Sequence, residues 1–432
     1  MLKNSENSLA STRHRGTLAV LFLPPPPDSG GLEDWYWRKI AGVPFILRNI
    51  LNIQRGGIQH VVLFVNHQPQ AVGELHRRIA SDPRVTLSLE WLSDSEEWVQ
   101  KTGGFGEFLL LDGSALYDKT QIKSAVAGNP DSEEDGKYRA FWVDRNSLVH
   151  LLEAPDAFDF SSLEKVKEQS PPSAIEDQDS EIKSLVYFPE AAIRKVLSEG
   201  DFHRESERIV QRSGGLSNDS LATRILSRPV SKLITRRLLN TQVTPNQITL
   251  LSFIIGLGSA GCFFQGGYAM GLIGAGLLLF SIWVDGVDGE IARIKFMETK
   301  LGGKLDIYCD NIVHIAVFFS IGMGLFHTHG DLIYIVLGGL AAIGSLISFL
   351  MLGTAVTEGK SKAHSADEND RKKSDFVDKL ANRDFTHFLF VLALFGRVDV
   401  FLWLTAIGVN FLVLYLLFLR TKSTSKLKSR AE

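Results

Sequence analysis

Cysteine is nearly absent from this chain. The two present among 432 residues, Cys262 and Cys309, fall in or beside apolar runs. That excludes a disulfide framework and suits a reducing compartment. The opening MLKNSENSLASTRHRG has no apolar h-region, so no cleavable signal peptide is expected and the N-terminal half should stay on the side where it is made. A charge excess of either sign is missing too: 46 Lys and Arg against 49 Asp and Glu leave a net charge of -3. Nothing here points to a nucleic-acid partner. Charge is scarce in one place above all: most of it lies before residue 245, whereas long stretches from Ile248 onward carry almost none. Two different solvents are implied, water for the first half and a bilayer for the second.

The first half alternates. TLAVLFL, the helical VPFILRNILNIQRGGIQ and HVVLFVN form a strand, helix, strand unit with Gly56 and Gly57 closing the helix. The helix candidate AVGELHRRIA then precedes VTLSLEWL, and EFLLLDGSALYD reads as a buried strand ending in a polar turn. This order predicts a Rossmann-like α/β domain over residues 16–213 with a largely parallel sheet, preceded by a disordered segment over 1–15. Residues 153–183, rich in Pro, Ser, Asp and Glu, read as a surface excursion, and the domain boundary falls near Gly214 and Gly215.

Residues 216–243 contain SLATRILSRPVSKLITRRLLN, basic and amphipathic, as suits a helix lying on an anionic membrane surface. In TQVTPNQITLLS, Thr244 can cap a helix whose first residue is Pro245. At roughly 20 residues per span, an all-α membrane domain over 244–420 would hold six spans: 247–266, 270–287, 307–326, 332–354, 385–398 and 400–419. The segment 355–383 and the tail over 421–432 are basic, whereas the opposite turns QGGYAM, HTHGD and GRVD hold a single basic residue, Arg397. Both termini are therefore expected in the cytoplasm, at the inner membrane if the cell is bacterial. Gly267, Gly271, Gly274 and Gly276 are spaced for close helix packing, within a subunit or across a homodimer.

Between the second and third expected spans runs WVDGVDGEIARIKFMETKLGGKLDIYCDN. In a helix Asp285 and Asp288 share a face, with Gly289, Ala292 and Arg293 one turn on; Asp306 and Asp310 share a face of the next helix. A turn around Gly302 and Gly303 would bring the two pairs together. Carboxylates at the end of a membrane helix are costly, and four beside one arginine call for divalent cations; all-oxygen ligands favour magnesium, manganese or calcium. Gly289 and Ala292 keep one helix face low, and Arg293 could hold a phosphate.

The spacing D-x2-D-G-x2-A-R-x8-G-x3-D-x3-D resembles the signature of the CDP-alcohol phosphotransferase family, matched at Asp285, Asp288, Gly289, Ala292, Arg293, Gly302, Asp306 and Asp310. The resemblance spans about residues 216–420. It implies displacement of CMP from a CDP-linked alcohol by a second alcohol, with two divalent ions, Mg or Mn. Carried over by position, Asp285, Asp288, Asp306 and Asp310 hold metal, and Asp310 also deprotonates the attacking hydroxyl. By the same resemblance Asp285, Gly289, Ala292, Arg293, Gly302 and Asn246 contact the CDP part. KLANRDF, with Lys379 and Arg383, resembles the members that use inositol phosphate and would hold an acceptor phosphate; ordinary positive-inside flanking is the plain alternative. A glycerol phosphate or another lipid-synthesis acceptor is the second candidate, and CDP-diacylglycerol a candidate donor.

The N-terminal half resembles a sugar-phosphate nucleotidyltransferase, as in fusions of an inositol-1-phosphate cytidylyltransferase with a di-myo-inositol phosphate phosphate synthase. It departs from that pattern where chemistry is concerned. LPPPPDSGG stands in place of a Gly-rich basic loop, and proline has no amide to cradle a triphosphate. The expected lysine falls on Trp35, with Arg38 and Lys39 close by. The metal aspartate aligns with Ser114, leaving Asp112 or Asp118 to stand for it. A domain that kept its fold and lost the cytidylyltransferase chemistry is expected. An ion transporter, the other class that intramembrane acids mark, would need carboxylates near mid-span and often repeated halves; here the acids sit at helix ends and no repeat is visible.

Overall fold

A computed structural model describes residues 18–27, 30–65, 69–92, 107–127, 140–144, 182–186, 194–213, 223–359 and 385–428. The expected disordered N-terminus and the boundary at Gly214 and Gly215 lie outside these, as do Lys379 and Arg383. The chain divides into two compact units, residues 1–209 and 210–432.

The first unit is built on a six-stranded sheet. Its strands are β1 (Leu18–Leu23), β2 (His60–Val65), β3 (Ser88–Leu92), β4 (Glu107–Asp112), β5 (Ala140–Asp144) and β6 (Ile182–Val186), in the order β3-β2-β1-β4-β5-β6. The four strands read from sequence are parallel: β1 pairs with both β2 and β4, and β2 with β3. Strands β5 and β6, which no motif announced, add an antiparallel edge, and β6 begins inside the stretch expected to be a surface excursion. Every residue of β1 is buried, as a central parallel strand covered on both faces must be. Helices α1 (Leu32–Trp37), α2 (Phe45–Gly56), α3 (Pro69–Ala80) and α4 (Lys119–Ala127) accompany it. The expected helix stop is observed: Gly57 is left-handed at φ 107° and its amide bonds the Gln54 carbonyl. Helix α5 (Glu199–Ser213) runs across the division into the second unit.

The second unit is helical. A π-helical turn at Thr223–Ser227 leads into α6 (Arg228–Leu238), followed by α7 (Pro245–Gln265), α8 (Tyr268–Ile294), α9 (Lys300–His329), α10 (Ile333–Gly359), α11 (Phe385–Leu394) and α12 (Val398–Lys428). Five of these, α7, α8, α9, α10 and α12, are long and apolar enough to cross a membrane. The expected fifth span is represented by α11, ten described residues, so among the described residues five of the six expected spans are long enough to cross. The expected basic tail is partly helix, since α12 continues to Lys428. Large apolar side chains such as Ile254, Phe411 and Leu414 are exposed, as on a surface meant for lipid. Thr244 caps α7 through a capping box with Gln247, and Pro245 is its first residue.

The glycine reading is only partly met. A Cβ on Gly274 would press on the Phe263 ring at 3.1 Å, but one on Gly267 would meet nothing. The tight crossings lie at other glycines. A Cβ on Gly322 would fall 2.6 Å from the Tyr334 carbonyl and 2.8 Å from Gly338 Cα, and one on Gly324 would strike the Phe263 carbonyl. Both cysteines are free.

Candidate active site

Helix α8 does not stop at the edge of its apolar run. Glu290, Ala292 and Arg293 continue it to Ile294, two turns past Asp285, and α9 begins at Lys300. The turn between the helices is therefore residues 295–299, and Gly302 and Gly303 sit in the first turn of α9 rather than between the helices. The stop is made by an unexpected residue. Phe296 is left-handed at φ 60° and the Met297 amide bonds the Ala292 carbonyl at 2.8 Å, a Schellman ending with phenylalanine where glycine is usual. Thr299 caps α9 by accepting the Gly302 amide at 2.9 Å. A Cβ on Gly302 would lie 2.9 Å from both Asn246 Oδ1 and Thr299 Oγ1, whereas one on Gly303 would meet nothing. Asn246 and Gly302 are thus brought together, and the glycine at the fixed position gives the asparagine its room.

Asp285, Asp288 and Asp306 converge, each offering a carboxylate oxygen within 4.8 Å of the others. Asp285 and Asp288 are buried and Asp306 half-buried. Asp310, one turn farther along α9 and half-buried, is not one of the three. Helix α7 supplies hydroxyls to the pair on α8. Thr249 donates to Asp288 Oδ2, and Ser252 Oγ lies 3.5 Å from Asp285 Oδ1. Ser252 also bonds the Thr249 carbonyl at 2.8 Å, and Ser281 bonds the Ser252 carbonyl at 2.7 Å, so a buried polar seam joins α7 to α8. Gly256, where a Cβ would fall 2.7 Å from a Val313 methyl, lets α7 approach α9 closely. Three hard oxygen donors drawn together at low exposure fit a magnesium- or manganese-sized ion, since carboxylates crowded this way need a countercharge.

Arg293 lies near Gly289, whose imagined Cβ would be 3.1 Å from a guanidinium nitrogen. Its Nε and Nη2 donate to the Ser213 carbonyl at 3.3 and 3.1 Å, in the last turn of α5. One functional-looking group went unread in the sequence: Glu290, at a variable position of the signature, is completely buried. It accepts from Arg228, Ser231 and Thr235 of α6. The amphipathic segment thus turns a polar face toward α8.

In the first unit the strand order reverses between the parallel neighbours β1 and β4, the place where open α/β sheets bind ligands. Gly113 makes that approach possible: its amide bonds the Phe22 carbonyl at 2.7 Å, and a Cβ would fall 2.5 Å from that oxygen. Asp112, at the end of β4, is 2% exposed. Its Oδ1 accepts the Ser114 amide at 2.9 Å and hydroxyl at 2.6 Å, and Oδ2 lies 3.8 Å from Lys195 Nζ. Tyr36 donates to the Pro24 carbonyl at 2.9 Å. Burial, with the Asp112 charge second, pushes this phenol well above its usual range. Asp118 pairs with Arg194 at 3.0 Å. Both aspartates considered for a metal role are thus tied into the domain's own hydrogen bonds.

Residues 242–368 match the CDP-alcohol phosphatidyltransferase family. The bifunctional IPC transferase and DIPP synthase of Aquifex aeolicus is 25% identical over 318 residues, 66% of this chain and 72% of that protein. Residues 210–432 make up only about half of the chain, so that likeness reaches into the first unit. The protein of the same name from Archaeoglobus fulgidus is 32% identical over 231 residues, 48% of this chain and 45% of its own length. Phosphatidylinositol phosphate synthase of Corynebacterium glutamicum is 36% identical over 107 residues, 24% of this chain and 45% of that protein. The chain therefore matches under half the length of the last two.

Proposed function

We propose that this chain, whose residues 242–368 match the CDP-alcohol phosphatidyltransferase family, is a transferase of that family and moves a phosphoalcohol group from a CDP-alcohol to an acceptor hydroxyl. The observation that carries the reading is the convergence of Asp285, Asp288 and Asp306 within 4.8 Å, two of them buried, at the signature positions. The acceptor oxygen bonds to the phosphorus bearing the alcohol, the bond from that phosphorus to the bridging oxygen breaks, and CMP leaves with the bridging oxygen. Asp310 takes the hydroxyl proton. Asp285, Asp288 and Asp306, with Asp310 completing a two-ion site, would hold Mg or Mn, which when bound would supply charge to offset the diphosphate and the leaving CMP. Asn246, Gly302, Gly289, Ala292 and Arg293 form the CDP side, with the Asn246 amide oxygen beside Gly302 where a Cβ would crowd it. For Arg293, binding a phosphate means exchanging its bonds to the Ser213 carbonyl for bonds to donor oxygens.

An inositol phosphate is the favoured acceptor, because proteins named for inositol phosphate products are among the relatives and Lys379 and Arg383 suit a phosphate. Glycerol phosphate is the alternative. The first unit is proposed to have lost cytidylyl transfer, since Asp112 serves a turn and Pro24 to Pro27 replace amide donors. Six spans, a cytoplasmic site with both termini on that side, and a homodimer complete the proposal.

The test is release of CMP by purified full-length protein with Mg or Mn, supplied with CDP-diacylglycerol or a soluble CDP-alcohol and with inositol phosphate or glycerol phosphate. Release that needs both metal and acceptor supports the reading, and the productive acceptor names the substrate class. No CMP from any pairing, together with ion flux in vesicles, would replace it with the transporter.

A further inference from the structure

Glu290 is an acid of the signature stretch outside its four aspartates and is 0% exposed. Its Oε1 accepts from Arg228 Nη1 at 3.1 Å and Ser231 Oγ at 2.8 Å, and its Oε2 from Thr235 Oγ1 at 2.7 Å. The donors at 228, 231 and 235 form one face of α6, spaced three and four apart. Ser231 and Thr235 are buried with it. Gly286, one turn earlier on α8, faces the same helix: a Cβ there would be 3.6 Å from Ser231 Cβ.

Adhesion between α6 and α8 does not need this arrangement. Ile234 and Leu238 of α6 already pack on a cluster containing Val284, Val287 and Ile291 of α8. Burying a carboxylate is costly even when it is well paired, and apolar residues would hold two helices together as firmly. What three directed hydrogen bonds add is a fixed rotation and register, which greasy contacts leave loose. Glu290 lies two residues after Asp288, about 200° around the helix. Helix α8 is thus held from two sides, by Thr249 of α7 at Asp288 and by α6 at Glu290. A rotation of about 10° would move a carboxylate by about 1 Å, beyond the roughly 0.5 Å within which a reactive group must be held.

We propose that Glu290 is a positioning residue: keyed to Arg228, Ser231 and Thr235, it fixes the rotation of the last turns of α8 and so the aim of Asp288 and Arg293 at metal and donor diphosphate. The inference rests on the reading of the site given under Proposed function. It implies that the basic segment before the first span is part of the enzyme's alignment and not only a surface anchor.

The test uses full-length protein carrying Glu290→Gln, Thr235→Val or Thr235→Ser. Manganese binding without substrate is read from the free-ion paramagnetic resonance signal, and donor and acceptor KM from CMP release per folded molecule. Glu290→Gln should weaken manganese binding by about 10-fold, as loss of a group orienting metal ligands does. It should raise donor KM to a similar extent and leave acceptor KM unmoved. Thr235→Val should shift both constants the same way but less, and Thr235→Ser, which keeps the hydroxyl, should match wild type. Folded Glu290→Gln and Thr235→Val proteins with wild-type manganese binding and donor KM would overturn the proposal, whatever their yield. If Glu290→Gln does not accumulate, Thr235→Val decides. Wild-type protein that neither binds manganese nor releases CMP would overturn the site reading and this inference with it, whereas active wild type with unaffected variants would overturn this inference only.

Discussion

Asp112 in the first unit and Asp288 in the second are both buried aspartates at a place where their fold expects chemistry, and they are held differently. Asp112 accepts two bonds from Ser114, the second residue after it, and has Lys195 nearby. Such a carboxylate closes a turn. Asp288 instead receives a hydroxyl from another helix, Thr249, and stands with two further carboxylates. Like charges drawn together in a poorly solvated place raise each other's cost, and a cation offsets that cost. The lesson is that an acid's role is decided by what else converges on it, more than by its place at the end of a strand or helix.

The largest effect that can break this comparison is expected from Asp285→Asn or Asp288→Asn. Losing several kcal/mol of charge stabilisation should lower CMP release by about 1000-fold or more, measured on folded protein. Thr249→Val comes next. By freeing the Asp288 carboxylate to turn it should weaken metal binding about 10- to 100-fold, with Thr249→Ser close to wild type. Asp112→Asn is the mirror experiment: CMP release should stay within about twofold, while unfolding of the first unit should become easier by about 1–3 kcal/mol as buried donors lose their acceptor. The smallest effects separate two adjacent glycines in a thermal melt. Gly302→Ala, pressing on Asn246 and Thr299, should destabilise by about 1–3 kcal/mol. Gly303→Ala, facing open space in a helix, should be neutral or stabilise by up to about 1 kcal/mol.

Much of this was legible before any coordinates. The parallel strands announced themselves as short apolar runs, because a strand buried on both faces has nothing else to show. Helical spacing paired Asp285 with Asp288 and Asp306 with Asp310, of which the structure gathers the first three, and capping chemistry marked Thr244 with Pro245. The edge strands β5 and β6 were not legible, since they are pinned by pairing across nearly forty residues that no local pattern reports. Helical spacing carried α8 as far as Arg293, but the partnership on α6 that buries Glu290 within it had no local signal. The same partnership hid Glu290, whose burial is decided by a helix fifty-five residues earlier. Phe296 took the left-handed position where the sequence offered no glycine to mark it.

The claim at the centre is that the chemistry of this chain lies at the carboxylates of the second unit. It is tested most directly by following CMP release from a CDP-alcohol with manganese and acceptor in wild type, Asp112→Asn and Asp288→Asn side by side. Release that is unchanged in Asp112→Asn and abolished in Asp288→Asn or by chelation is the predicted result. Release that survives Asp288→Asn, or that is lost in Asp112→Asn with the protein still folded, would contradict it.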